Sequence, residues 1–566
     1  MTIEPEREAS TIRSPGEPLL AAMDHAFPTL TPAQIARIAA HGKTHSVTAG
    51  EVLVEAGVMN SRFFVVVSGE IQVYRTQKGV ESVVTIHSPG KFTGEASMLS
   101  GRQSLVTARV TQPGEVIELD REHLLQIVQT DAELGEILMR AFIFRRLALI
   151  DHNFGDVVLV GSNFSPGTLR IREFLTRNGH PYTNLDLDRD PEAQEILDRF
   201  QVTISDVPVL IRGEKEMLRN PSNREIAAKL GFNDSIDRKH VRDMVVIGAG
   251  PSGLAAAVFA ASEGLDVLVV EANAPGGQAG SSSKIENYLG FPLGITGQEL
   301  AARAHTQSQK FGAQLLIAQS ATSLSCDRKP YTLEIAEETR ISARTVVIAT
   351  GAEYRRLPID NIERFENAGI YYGATFIEAQ LCRDEEVIVV GGGNSAGQAA
   401  VFLAQYTKKV HMLVRATGLA DTMSRYLIRR IEESPTIELR TQTEITEVAG
   451  VDHLERVCWV DKVTGVRDPH EIRHVFVMTG ATPCTPWLNR CVVMDPHGFI
   501  KTGPDITAGE LHGAGWPLAR TPHLLETSLP GVFAVGDVRS GNVKRVASAV
   551  GEGSIAVSFV HQALRE

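Results

Sequence analysis

Apolar and polar positions follow several rhythms along this chain, and each change of rhythm marks a change of element. From about residue 21 to 115, a helical start gives way to short alternating runs. Turn pairs at Ala49-Gly50, Ser68-Gly69 and Pro89-Gly90 break these runs, a pattern that predicts a β-roll. FFVVVSGEIQVYR (63–75) predicts two strands around Gly69, and HLLQIVQTDAELGEILMRAFIFRRLALI (123–150) predicts one long helical connector. Residues 155–232 alternate differently. Strand DVVLVGS (156–162) leads to a helix opening at Ser165-Pro166, strand PYTNLDLD, helix PEAQEILDRF, strand VPVLI (207–211) and a closing helix IAAKLGF. That order predicts an open α/β layer.

From residue 242 the texture becomes Gly- and Ala-rich. VRDMVVIGAGPSGLAAAVFAASEGLDVLVVE and EEVIVVGGGNSAGQAAVFLAQYTKKVHMLV are two copies of one strand–loop–helix–strand unit, 391 − 248 = 143 residues apart. In the first, Gly248, Gly250 and Gly253 give the tight turn, the backbone approach to a pyrophosphate and the close helix–strand packing of a dinucleotide loop. Ser252 lies inside the same turn, and the helix that follows offers free N–H groups to phosphate. Glu271 ends the next strand, where a carboxylate can accept ribose hydroxyls. In the second copy Gly391, Gly393 and Ala396 repeat the pattern around Asn394 and Ser395. Its second strand ends at Val414-Arg415 with no acid, and an arginine accommodates a 2′-phosphate that an acid would repel, so NADPH is favoured over NADH. Two such sites, the second inserted within the first domain, imply a flavin fed by a nicotinamide. LPGVFAVGDVRSGNVKRVASAVGEGSIAV (529–557) completes the set: Gly536-Asp537 follows a strand, where a carboxylate can hold ribityl hydroxyls or cap a helix.

Composition narrows the classes. At 566 residues the chain is too long for one core and predicts three to four domains. A net charge of −12 disfavours a broad nucleic-acid-binding face. The apolar windows 244–261 and 386–404 are interrupted by Gly, Ser or Asn, which predicts strand–turn–helix rather than a membrane span. The first 20 residues read as a flexible tail without a secretory h-region. Cysteines stand at 326, 382, 458, 484 and 491, with no CxxC spacing. A disulfide framework and a CxxC metal site are thus disfavoured, no metal is expected, and a reducing cytoplasm is the expected location.

Residues 240–566 resemble the low-molecular-weight thioredoxin reductase family through GAGPSG, GGQ (276–278), EN (286–287), ATGA (349–352), GGGNSA and GDV with the following KRV. The resemblance implies FAD and NADPH as cofactors. It places Gly277, Gln278, Asn287, Thr350, Gly351 and Asp537 against FAD, with Lys544, Arg545 and Val546 beside the flavin as a partial match. It also implies a homodimer and a hinge near 353–365 and 477–484. The family's dithiol falls on Gly373-Ala374-Thr375-Phe376, so both thiols are missing, and Phe376 becomes a candidate flavin neighbour. Cys382 is a poor replacement. Of the arginines that hold the 2′-phosphate in the family, only Arg415 stands at a matching position. Residues 151–236 resemble a thioredoxin or glutaredoxin fold, with Pro208 as the cis-proline and Ser165-Pro166-Gly167-Thr168 in place of the CPxC. The first domain resembles a cyclic-nucleotide-binding β-roll. There Gly94-Glu95 would hold a ribose hydroxyl, but Ser104 stands where an arginine would pair with the cyclic phosphate. A ligand-binding domain and a docking or dimerisation domain both remain open for it.

The resulting expectation is a multidomain α/β chain with an N-terminal β-roll, a thioredoxin-like layer and two Rossmann-like domains. The boundaries are 1–20 (tail), 21–150 (β-roll and connector), 151–236 (thioredoxin-like), 237–357 and 483–566 (FAD), and 358–482 (nicotinamide). Hydride passes from NAD(P)H to flavin, and no side-chain acid or base is nominated for that step. Without a CxxC the electrons go to an acceptor that reaches the flavin directly. A flavin-based redox sensor, and a disulfide reductase using a non-standard thiol such as Cys484 or Cys491 or thiols brought by a partner, are the alternatives.

Overall fold

Strand pairing follows the alternating runs. The structure is a computed structural model that describes residues 26–566 apart from 59–61, 78–79, 95–97, 99–101, 152–156, 164, 191–192, 194–196, 198–201, 204–205, 213–215, 234–235, 238, 283, 327–328, 336–338, 367, 375 and 452. The expected tail, Glu95, most of PEAQEILDRF and Thr375 lie outside the described residues. The chain divides into two compact units: Met1–Asp156 with Arg212–Lys215, and Val157–Ile211 with Glu216–Glu566.

In the first unit, strands Lys43–Val47, Gly114–Asp120 and Arg62–Val66 form one antiparallel sheet. Val52–Val54, Thr107–Gln112, Glu70–Gln77 and Val80–His87 form the other. Phe63, Phe92 and Phe142 meet in the core with ring centroids 5.7–6.3 Å apart, the spacing of favourable aromatic pairs. The single connector helix expected over 123–150 is two helices, Arg121–Thr130 and Ala132–Asp151. The break falls at Asp131, whose backbone is extended and whose carboxylate accepts the Leu134 amide at 3.0 Å. A short polar side chain that satisfies a free helix N–H starts a new helix more readily than it continues an old one.

The second unit opens with a four-stranded sheet in the order Glu216–Arg219, Val209–Arg212, Val157–Gly161, Thr183–Asp186. Helix Pro166–Arg177, with Ser165 at its N-cap, buries Ile171, Phe174 and Leu175. The strand Glu216–Arg219 was not expected: its short run has no apolar alternation, and pairing with its neighbour decides its conformation. The Val207–Pro208 peptide is cis, as expected, and so is Lys329–Pro330.

The rest is doubly wound. Strands Gln314–Ile317, Val267–Glu271, Val241–Ile247, Thr339–Ile348 and Val532–Ala534 pair in parallel, and Tyr331–Ile335 and Ala321–Ser325 extend the sheet antiparallel. Ala-rich helix Pro251–Ser262 packs against Val546–Ala563. Small residues let these backbones close up: a Cβ on Gly553 would stand 2.1 Å from the Ser252 carbonyl oxygen. Between the two parts of this layer, strands Ile370–Tyr371, His474–Val477, Glu386–Val390, Lys409–Val414 and Ile437–Thr441 form a second, all-parallel sheet. Strands Thr443–Ala449, Arg456–Asp461 and Arg467–His470 flank it as an antiparallel meander. The chain passes between the two layers twice, and both crossings run through one antiparallel ribbon, Ala352–Tyr354 against Ala481–Pro483.

Cys326 and Cys491 form a disulfide, their Cα atoms 6.1 Å apart and 165 residues distant in sequence. This corrects the expectation of unpaired thiols and removes Cys491 as a free thiol. No helix among the described residues is long and apolar enough to cross a membrane, and no cluster of His, Cys, Asp and Glu among them could hold a metal ion.

Candidate functional site

The first glycine loop is shaped by three close approaches. Gly248 has φ +103°, and a Cβ there would meet the Ala349 carbonyl oxygen at 2.3 Å; a Cβ on Gly253 would meet the Gly248 carbonyl oxygen at 1.9 Å. Gly250 differs: a Cβ there would meet only the Gly277 Cα at 3.9 Å. The glycine at 250 thus leaves space in front of the helix Pro251–Ser262, where free N–H groups favour phosphate. Ser252 lies deeper than expected. It is 5% exposed and wedged under Gly536, whose Cβ would come within 2.4 Å of its hydroxyl.

Glu271 supports the loop from below. Its carboxylate accepts the Ala249 amide at 2.7 Å and the Asn273 amide at 2.8 Å. Burial pushes its pKa up, opposed by those two hydrogen bonds. Gly276 and Gly277 both have positive φ, and the Gly276 amide donates to the Ala249 carbonyl at 2.7 Å. Arg177, from the preceding α/β layer, donates to the Gly277 carbonyl at 2.9 Å and the Ala274 carbonyl at 3.3 Å. No local pattern near Arg177 announces this role, because its partners lie about a hundred residues away. Gln278 and Asn287 are exposed.

Thr350 and Gly351 sit at the first crossing. The Thr350 hydroxyl donates to the Cys484 carbonyl at 2.9 Å, and the Cys484 amide donates to the Gly351 carbonyl at 3.0 Å, so the two crossings are tied together. Gly536-Asp537 begins a single 3-10 turn. The Glu552 carboxylate accepts the Gly536 amide at 2.7 Å and pairs with Arg539 at 2.6 Å. Asp537, by contrast, has no hydrogen-bond partner among the described residues, and burial raises its pKa while Lys544 opposes the rise. A half-buried carboxylate with free lone pairs, beside an open glycine loop, fits the hydroxyls of a bound FAD. Lys544 lies 4.9 Å over the Phe499 ring, and Arg545 caps the helix that begins at Val546; both cations are exposed.

The second glycine loop repeats the design. Gly391 has φ +140° and would clash with the Met478 carbonyl oxygen at 2.4 Å; Gly393 has open space, and Ala396 is fully buried. Asn394 is partly committed, since its side-chain oxygen accepts the Ser424 amide at 2.8 Å. Ser395 and Arg415 are exposed at the mouth of the loop. The arrangement fits a dinucleotide with its pyrophosphate at the helix Asn394–Leu403 and an anionic group beside Arg415.

Gly373 faces the first layer: a Cβ there would lie 3.9 Å from the Ser281 hydroxyl. Phe376 is 55% exposed and meets Tyr406 edge-on at 6.1 Å, so its ring rests on the nicotinamide layer. Cys382 is buried and hydrogen-bonds back into its own helix; burial pushes its thiol up to about 12. Burial also raises Cys484, to about 11. Neither is a ready thiolate. In the first unit Gly94 has φ +100°, and its carbonyl accepts a hydrogen bond from buried Arg145 at 2.8 Å. The Ser104 hydroxyl donates to the Val106 carbonyl at 2.8 Å.

Residues 242–553 match the sequence model described as pyridine nucleotide-disulphide oxidoreductase. The chain belongs to that family. Residues 44–131 match the model of the cyclic nucleotide-binding domain, so the N-terminal β-roll is of that type. Among curated members of the oxidoreductase family, the thioredoxin reductase of Ureaplasma parvum serovar 3 is 33% identical over 325 residues, covering 57% of this chain and 97% of that protein. The thioredoxin reductase of Bacillus subtilis is 29% identical over 332 residues, 58% of this chain and 97% of its own. A solved relative, Lactococcus lactis thioredoxin reductase in its FR conformation, superposes with a TM-score of 0.51 at 25% identity, covering 57% of this chain and 99% of that one. Thioredoxin reductases of this family use FAD and NADPH, the pair that the two loops fit.

Proposed function

We propose that this chain is an FAD-dependent NAD(P)H oxidoreductase of thioredoxin reductase type whose electrons leave to an external acceptor without passing through an internal disulfide relay. When bound, FAD and NADPH would supply the hydride-transfer chemistry. The chain's own residues supply position. Gly250 and the helix Pro251–Ser262 hold the flavin's pyrophosphate, Asp537 its ribityl hydroxyls, and Glu271 keeps the Ala249–Gly250 backbone in place. Gly393 and the helix Asn394–Leu403 hold the nicotinamide dinucleotide, with Arg415 at its 2′-phosphate. No acid or base is needed for hydride passage.

One observation carries the proposal about the exit route. Of the five cysteines, Cys326 and Cys491 are bonded to each other, burial raises the Cys382 and Cys484 thiols, and Cys458 lies apart on the meander strand Arg456–Asp461. Thiol–disulfide exchange needs an attacking thiolate with a resolving partner, which this layout does not provide. The layer at 157–232 is read as thioredoxin-like on its strand order, and the cyclic-nucleotide-type domain as a regulator of the flavin unit. A homodimer is part of the same reading. The test is anaerobic mixing of the purified yellow protein with NADPH. Bleaching of the flavin band, followed by its return on adding a quinone, is the expected result. A protein that cannot be loaded with FAD, or whose flavin stays oxidised under NADPH, would overturn the proposal.

A further inference from the structure

Between the 157–211 layer and the end of helix Phe376–Leu381 lies a cavity of about 400 Å³ lined by Arg172, Arg189 and Arg383, with Asn163, Asp186, Gln380 and Leu381 completing the wall. It sits at the carboxyl ends of the parallel strands Val157–Gly161 and Thr183–Asp186, where α/β layers place ligands. Its volume lies in the range of small-molecule sites. Nothing in the oxidoreductase reading uses it.

The wall is constructed rather than merely charged. Asp186 is 5% exposed, and its carboxylate accepts the Asn163 side-chain amide at 2.7 Å and the Asp188 backbone amide at 3.2 Å. Asn163 is thereby oriented, and its oxygen accepts Arg172 Nη1 at 2.7 Å and Asn184 Nδ2 at 3.2 Å. Asp186 therefore makes no ion pair with the cavity's cations; it positions Asn163, which positions Arg172. The Nε of Arg172 is buried and has no hydrogen-bond partner among the described residues. A buried donor without an acceptor is costly, so a fixed guanidinium with a free, buried N–H calls for an acceptor from outside the chain. Arg189 and Arg383 have no carboxylate partner among the described residues. The lining carries three positive charges and one negative charge, a surplus of two.

We propose that this cavity binds a small organic dianion, a phosphate monoester or a dicarboxylate, its anionic head held between Arg172, Arg189 and Arg383. Guanidinium forks match planar or tetrahedral oxyanions in bidentate fashion, and three of them neutralise a dianion in a way that one exposed cation does not. Arg172 and Arg189 come from one layer and Arg383 from the other, so the bound anion bridges the 157–211 layer and the nicotinamide layer.

The test uses the full-length, flavin-loaded protein at about pH 8, where a phosphate monoester is doubly charged. Glycerol 3-phosphate and malate are titrated separately by calorimetry at constant ionic strength. Saturable binding of either is expected, and which of them binds identifies the head group. Arg172→Gln and Arg383→Gln should each weaken it about tenfold or more, the loss of a charge-assisted contact. Flavin absorbance shows that each variant is folded. Arg383 is exposed, so its variant keeps the test valid if Arg172→Gln fails to fold. Hydrogen exchange should slow on binding at both 183–190 and 376–383. Absence of saturable binding with both probes, or binding equally strong in the folded variants, would overturn the proposal.

Discussion

A Cβ on Gly253 would stand 1.9 Å from the carbonyl oxygen of Gly248, closer than any tolerated contact, whereas a Cβ on Gly250, three residues earlier in the same motif, would meet nothing nearer than 3.9 Å. The two glycines therefore serve different ends. Gly253 lets helix and strand close up; Gly250 keeps room for a phosphate. Gly253→Ala should destabilise the fold by about 1–3 kcal/mol, as forced overpacking does. Gly250→Ala should fold normally and purify without flavin. Urea unfolding and flavin absorbance on the two variants separate these outcomes.

Arg415 is the one basic side chain at the tip of strand Lys409–Val414. In the proposed site, its removal would take away a charge-assisted contact to a 2′-phosphate that NADH lacks. Arg415→Ala should raise the KM for NADPH about tenfold and leave that for NADH unchanged. Steady-state kinetics with both nucleotides checks this.

Asp537 titrates above the usual carboxylate range, chiefly through burial. In the proposed site, flavin hydroxyls would donate to its ionised form. FAD affinity should therefore be full above the raised pKa and fall as the pH drops through it. Asp537→Asn should bind FAD more weakly at neutral pH and lose that acid-side slope. Fluorescence titration of the flavin-free protein across pH measures both.

The Cys326–Cys491 bond closes a loop of 165 residues. Reducing a bridge over so long a loop removes a constraint on the unfolded chain worth about 2–5 kcal/mol. Unfolding free energies from urea titrations with and without reductant should differ by that amount, and the rate of flavin bleaching by NADPH should not change.

What could be read in advance divides along physical lines. The two glycine loops were legible because each glycine answers a local demand, a turn or a close approach within a few residues. The position of Glu271 at the tip of the adjacent parallel strand was legible for the same reason, whereas its grip on the Ala249 and Asn273 amides was not. The break at Asp131 was not, because the apolar spacing runs on through it and only the Leu134 amide reveals the cap. The Cys326–Cys491 pair, the grip of Arg177 on Gly277 and the Arg172–Arg383 cavity all join residues about a hundred or more positions apart. Neither periodicity nor motif spacing carries such information. Phe376 shows the opposite limit. A motif position marked it as a candidate flavin neighbour and gave no sign of its edge-on contact with Tyr406, thirty residues further along the chain.

The central claim is that electrons leave the flavin without a cysteine relay. The most direct measurement is NADPH–quinone turnover by a variant in which Cys382, Cys458 and Cys484, the cysteines outside the disulfide, are all replaced by Ser. The account predicts FAD content and turnover equal to the parent protein. A variant that keeps its flavin, is still bleached by NADPH and yet no longer turns over would contradict it.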